Sequence, residues 1–159
     1  MIPYEVVAEY KGTDLEGMRY EQLLPWMKPM GDAFRVILGD YVSTEDGTGI
    51  VHIAPTFGAG DDDRVAKVAG IAPLMLIDKE GNKQPMVDKQ GRLFLPSEID
   101  ADFLKNNVDI ELYAEFAGRF VKNAYDPELS DDDPTLDIDL SILLKRENKA
   151  FKVEKHEHN

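Results

Sequence analysis

The sequence predicts a mixed α+β fold, on three observations. β-branched, aromatic and other apolar residues recur in short runs at 34–38, 49–54 and 74–77. Glycine-bearing turns separate such runs, Asp46-Gly47 the clearest of them. Short helical patterns with capping signals lie between. The 159 residues are enough for one domain, or one domain with an appendage, and 43% apolar residues supply a core.

Each element follows from local chemistry. Tyr4 to Tyr10 holds Val6, Val7 and Ala8 between β-formers and predicts a strand. Gly12 and Gly17 punctuate an irregular stretch, and Pro25 and Pro29 flank Trp26, which predicts a packed loop. Phe34, Val36 and Leu38 alternate with Arg35, Ile37 and Gly39 as a strand. The Asp46-Gly47 turn then predicts a hairpin onto residues 49–54, ended by Pro55. Asp61, Asp62 and Asp63 precede Val65, Val68 and Ala69, and Gly70 closes the run. Acids at the positive end of a helix and a glycine stop predict a short helix there. Leu74 to Ile77 reads as a buried strand that opens a meander. Its turns fall at Lys79-Glu80-Gly81-Asn82 and Lys89-Gln90-Gly91, and Pro85 marks an edge. Ser97 and Asp100 have capping-box spacing, which predicts a helix to about Asn106. Leu112, Phe116 and Phe120 share one possible helical face, interrupted by Gly118. Residues 126–139 carry seven acids and no base, a solvated loop. Leu140, Leu143 and Leu144 predict a last helix, and Phe151 and Val153 a last strand.

Composition excludes several functions. With no cysteine there is no disulfide scaffold, Cys-based zinc site or thiol nucleophile. No apolar run is long enough to span a membrane, and the N-terminus lacks signal-peptide character, so a cytoplasmic location is the expectation. A formal net charge of -13 opposes binding to nucleic acid, which draws on Lys and Arg.

Few residues can carry chemistry. His52 lies on the predicted strand face of Ile50 and Ala54, where it can act as a base, position a water, line a pocket, or be a half-buried structural histidine. The stretch from His52 to Asp61 joins a strand end to a helix start, a place where ligands sit. Asp61 there can hold a cationic amine or simply cap the helix, with Asp62 and Asp63 compensating the dipole. His156 and His158 are a weak metal pair without a nearby third ligand. Gly58-Ala59-Gly60 lacks phosphate-cradling spacing, and the acids at 131–133 lack the pattern of a calcium loop.

Together these residues resemble a known family. Gly47-Thr48-Gly49-Ile50-Val51-His52-Ile53-Ala54-Pro55, then Phe57-Gly58 and the aspartates, is similar to the GTG-x-VH-x-AP-x-x-G…D signature of the editing domain of class I isoleucyl-, valyl- and leucyl-tRNA synthetases. Upstream, Gly12, Leu15, Gly17, Tyr20 and Leu23 resemble the family's G-x-x-L-x-G-x-x-Y-x-x-L segment. Leu144 to Phe151, on to His158, resembles the return toward the synthetic core. The likeness runs almost end to end and is nearest to bacterial isoleucyl-tRNA synthetases.

The resemblance implies a distorted β-barrel with peripheral short helices, incomplete at its N-terminal side. The implied divisions are a partial barrel at 1–125, an acidic loop at 126–139, and a helix and strand at 140–159 returning toward the catalytic core. The implied activity is hydrolysis of valine mischarged onto the isoleucine tRNA, by water attack on the aminoacyl ester. An apolar pocket discriminates one methylene by only about 1–3 kcal/mol, for which isoleucyl-tRNA synthetase is the standard example, so a second site is needed. By position, His52 matches the histidine that shapes the pocket and excludes isoleucine. The amine-binding aspartate falls on Asp61, or on Asp62 when counted back from Val65. Gly47, Thr48, Gly49, Val51, Ala54 and Pro55 would line the substrate.

No cofactor or metal is implied for this segment; ATP and magnesium belong to the parent's synthetic core, whose HIGH and KMSKS signatures are absent from these residues. The expected partners are the 3′ end of a mischarged tRNA and the rest of the synthetase, with no membrane. The family's threonine-rich strand is expected before residue 1, so the segment alone is expected to be feeble. An exposed strand edge is then expected to allow pairing with a second copy. A non-catalytic tRNA-docking module is the alternative.

Overall fold

The computed structural model describes residues 3–45, 47–58, 60–122, 126–130, 133–134 and 136–154. The fold is mixed α and β, with short elements joined by turns. The helices are α1 (Gly60–Ala69), α2 (Ala101–Asn107), α3 (Ile110–Ala114) and α4 (Leu136–Arg146). Two strands, β1 (Leu76–Ile77) and β2 (Lys83–Gln84), pair antiparallel, with Leu76 opposite Gln84 and Ile77 opposite Lys83. Isolated bridges supply the other β contacts among the described residues. None of the described helices is long and apolar enough to cross a membrane. The chain forms two units, Met1–Gln22 with Pro29–Leu74, and Leu23–Lys28 with Met75–Asn159.

In the first unit α1 forms where its acids and glycine predict it. Ile71 N–H donates to the Ala66 carbonyl at 2.8 Å and Gly70 N–H to the Lys67 carbonyl at 3.2 Å. Gly70 takes φ +70° there, so the helix ends in a Schellman turn that a glycine accommodates without strain. Val65 and Ala66 are buried, whereas Val68, expected on the same face, is 85% exposed.

The predicted hairpin of 34–38 onto 49–54 is not formed. Residues 34–36 instead pair with 17–20. Gly17 N–H donates to the Val36 carbonyl, Val36 N–H to Met18 and Tyr20 N–H to Phe34, at 2.8–3.0 Å. The Tyr20 and Phe34 rings meet edge to face at 6.1 Å. Asp32 clamps this pairing, accepting from Arg19 and Arg35 at 2.8 Å each. Arg35 also donates to the Ala69 carbonyl and so occupies the negative end of α1. Cross-strand side chains and this clamp outweigh the local turn signal. Residues 4–10 are exposed and form no strand.

The second unit holds the meander. Asp78 accepts from the Glu80 and Asn82 backbone N–H groups at 3.0 and 2.8 Å, and Asp88 repeats the motif with Gln90 and Arg92 at 2.9 and 3.0 Å. Bridges Val87 to Leu93 and Arg92 to Phe120 extend it. β2 stops at Gln84 because Pro85 has no N–H to donate. Ser97 lies in a 3-10 turn, Pro96–Glu98, and the cap of α2 is Asp100, which accepts from Phe103 N–H at 2.9 Å. Asp109 caps α3 in the same way. The helix predicted at 111–121 is shorter and rotated. Tyr113 and Phe116 are buried while Leu112 is 46% exposed.

Trp26 stacks on Phe116 at 4.5 Å, and its carbonyl accepts from Asp109 N–H at 2.8 Å, which is why the Pro-flanked loop packs. Met27, Leu76, Leu93, Ile99, Phe103 and Leu136 are buried in the same unit. α4 starts inside the acidic stretch, whose Asp139 pairs with Arg119 at 2.7 Å. Phe151 and Val153 form no strand and are exposed. His156 and His158 lie outside the described residues, as do Asp131 and Asp132.

Candidate functional site

The candidate residues follow one another through two turns into α1, all within the first unit. Gly49 takes φ +76°, and a Cβ there would lie 2.9 Å from the Thr44 methyl, so this turn requires glycine. Thr48 Oγ1 accepts from Ile50 N–H at 3.3 Å and donates to the Ile50 carbonyl at 3.0 Å. Residues 50–54 form no strand and no ladder. Ile50, Val51, His52 and Ala54 are exposed, while Ile53 and Pro55 are partly covered. His52 is therefore a surface histidine and not a half-buried strand residue.

The chain then turns sharply. The Ala54 carbonyl accepts from Phe57 N–H at 3.2 Å and Gly58 N–H at 2.6 Å. Thr56 adopts φ +74°, a left-handed conformation uncommon for a β-branched residue. The turn is tied to α1 from the other side. Asp62 Oδ2 accepts from Ala54 N–H at 3.1 Å.

The three acids of α1 have three different partners. Asp61 accepts from Arg64, whose guanidinium also reaches Asp40 at 2.8 Å. Asp62 holds Ala54, and Asp63 pairs with Lys67 at 2.6 Å. Arg64's hydrogen bond and charge lower the Asp40 carboxyl below its ordinary value. Burial, then the charges of Asp62 and Asp61, push the Tyr41 phenol up. Arg64, Asp40 and Tyr41 were not singled out from the sequence. Arg64 is legible afterwards as an i,i+3 partner of Asp61, whereas Asp40 and Tyr41 reach the helix only through the fold.

An open groove of about 820 Å³ also lies in this unit, lined by Lys11, Arg35, Leu38, Asp40, Arg64 and Val68 among others, and by none of the candidate residues. Among the described residues no three His, Asp or Glu side chains converge on a metal position. What the loop offers chemically is an exposed imidazole, followed in the chain by a helix start that carries carboxylates.

The whole chain aligns with three bacterial relatives named isoleucine–tRNA ligase. It is 62% identical to that of Bacteroides fragilis over 159 residues, 58% to that of Porphyromonas gingivalis over 159, and 50% to that of Cytophaga hutchinsonii over 169. Each alignment covers all of this chain and 14% of the relative, so the chain spans about one seventh of their length. No family model and no solved structure matches it.

Proposed function

We propose, for a chain that matches one segment of the isoleucine–tRNA ligase family along its whole length, that this segment is part of the domain that clears valine wrongly esterified to the isoleucine tRNA. The observation that carries the reading is the tie between the motif loop and α1, the Ala54 N–H to Asp62 bond. It ties the segment that carries His52 to a helix start that carries carboxylates. An α-ammonium group needs a carboxylate, and Asp61 or Asp62 supplies one. His52 would crowd the larger isoleucine side chain, and Gly47, Thr48, Gly49, Val51, Ala54 and Pro55 would line the smaller one. Hydrolysis would proceed by a held water, which needs no serine or cysteine nucleophile. The segment's short strands and bridges would be parts of a distorted barrel completed by the rest of the synthetase. The divisions 1–125, 126–139 and 140–159, a cytoplasmic location, pairing with a second copy through an exposed strand edge, and ATP and magnesium in the parent's core belong to the same reading.

The test is deacylation of Val-tRNA(Ile) by the parent synthetase. Asp61→Ala with Asp62→Ala should abolish it, and His52→Ala should let Ile-tRNA(Ile) be hydrolysed as well. Full activity in the double variant would sink the assignment. The second reading, a tRNA-docking module without chemistry, is favoured by the exposure of His52. It predicts tRNA binding indifferent to all three changes.

A further inference from the structure

We propose that residues 4–10 become a strand by pairing with the same residues of a second copy, antiparallel and with Ala8 opposite Ala8. This pairing gives the self-association named above its segment and its register. It rests on that part of the reading alone and needs none of the editing chemistry.

The segment has the pattern of a strand and lacks a neighbour. In a strand, Tyr4, Val6, Ala8 and Tyr10 share one face, and Glu5, Val7, Glu9 and Lys11 the other. Tyr4 is 81% exposed, Val7 90% and Tyr10 72%. Among the described residues no hydrogen bond reaches the backbone of 4–10. A β-forming run with free backbone groups and exposed apolar side chains is a template for another strand.

Charge selects the partner and the register. Glu5 and Lys11 are both exposed. Antiparallel pairing about Ala8 sets each Glu5 opposite the Lys11 of the other copy and each Val6 opposite Tyr10. The two-fold axis forms each of these favourable pairs twice. Pairing about Val7 instead sets Glu5 opposite Glu9, and parallel pairing in register sets each glutamate opposite itself, both unfavourable. A slip of one residue from the Ala8 register sets Tyr10 opposite Glu5 and Val6 opposite Glu9, which mixes the two faces. A two-stranded ribbon by itself is marginal in water. Here the segment runs into Lys11 and Gly12, which line the open groove of the first unit, and Leu38 and Val68 on that groove are exposed. The apolar face of the paired segments thus has apolar surface at hand.

Sedimentation of the 159-residue chain should show a monomer–dimer equilibrium. Glu5→Lys should weaken the dimer about tenfold, as two attractive pairs become repulsive, and adding Lys11→Glu should restore it. The chain has no cysteine of its own, so single introduced cysteines read the register. Directly opposite residues lie about 4.5–5.5 Å apart at Cα, within disulfide reach. Under mild oxidation Ala8→Cys should link two copies. Val7→Cys should not, because its two copies stand on a diagonal of about 7–8 Å; mixed with Glu9→Cys, it should link unlike chains only. No side chain of 4–10 is buried, so these variants should keep the fold. A dimer that Glu5→Lys does not weaken, or that links as well through Val7→Cys as through Ala8→Cys, overturns the segment and register while leaving self-association standing. A chain that stays monomeric overturns self-association and this pairing with it. Neither result bears on the editing reading.

Discussion

Replacing Tyr113 with phenylalanine isolates one hydroxyl in the core of the second unit. The Tyr113 side chain is fully buried, and its hydroxyl donates to the Phe94 carbonyl at 2.6 Å. Phenylalanine keeps the ring, 6.2 Å from that of Trp26, and removes the bond. The loss at neutral pH should be about 1–2 kcal/mol, one hydrogen bond plus a carbonyl left without its donor. Burial, with the Glu98 charge second, pushes the phenol up to about 12 from the ordinary 10. A group raised in the folded state stabilises fully below its unfolded value and loses that contribution as pH rises through the folded one. Wild-type stability should therefore fall between pH 10 and about 12, by roughly 2–3 kcal/mol in the limit. Tyr113→Phe should lack that part of the slope.

The assay is urea unfolding at pH 7 and at steps above pH 9, followed by fluorescence. Trp26 is the sole tryptophan and stacks on Phe116 in the same unit. The gap between the two proteins should shrink above pH 10. A gap constant through pH 11 would show that folding does not desolvate the phenol, and would refute the reasoning.

The other predictions concern surface charge and turns. Hydrogen bonds from Arg19, then Arg35, hold the Asp32 carboxyl down to about 2 from 3.8, so its contribution is present above 3.8 and lost as pH falls toward 2. Asp32→Asn should flatten that acid limb of a stability–pH curve; an unchanged limb would mean the clamp does not persist in solution. Asp78 accepts from two backbone N–H groups and from the Asn82 and Gln84 side chains. Thermal unfolding should show Asp78→Ala to be more destabilising than Asp78→Asn, because alanine leaves those donors without an acceptor; equal midpoints would contradict this. Arg64→Gln removes the pairs with Asp40 and Asp61 and should leave the urea unfolding midpoint nearly unchanged, since exposed pairs contribute little; a clear drop would mean that these pairs hold the start of α1 in place.

Helix α1 was legible because its signals are local: acids in the first turn and Gly70 at the stop. The turns at Asp78 and Asp88 were legible for the same reason, since glycine and a short acceptor side chain define them within five residues. The packing of Trp26 followed from its flanking prolines. Where the reading missed, a distant partner decided the outcome. Ser97 has capping-box spacing, but Pro96 draws it into a 3-10 turn and Asp100 takes the cap. Leu112 and Tyr113 are adjacent, and only the packing of the Tyr113 ring beside Trp26 decides which is buried.

The sequence by itself determined the mixed α and β architecture and helix α1, because helix caps and turns are written in neighbouring residues. Only the tertiary structure decided that residues 34–36 pair with 17–20 and that the run from 49 to 54 joins no strand. Those choices rest on Asp32 and Arg35 meeting the end of α1 across more than thirty residues. It also gave three consecutive aspartates three different partners. Adjacent side chains on a helix point about 100° apart, so Asp61, Asp62 and Asp63 look alike along the chain and differ only in what the fold places before them.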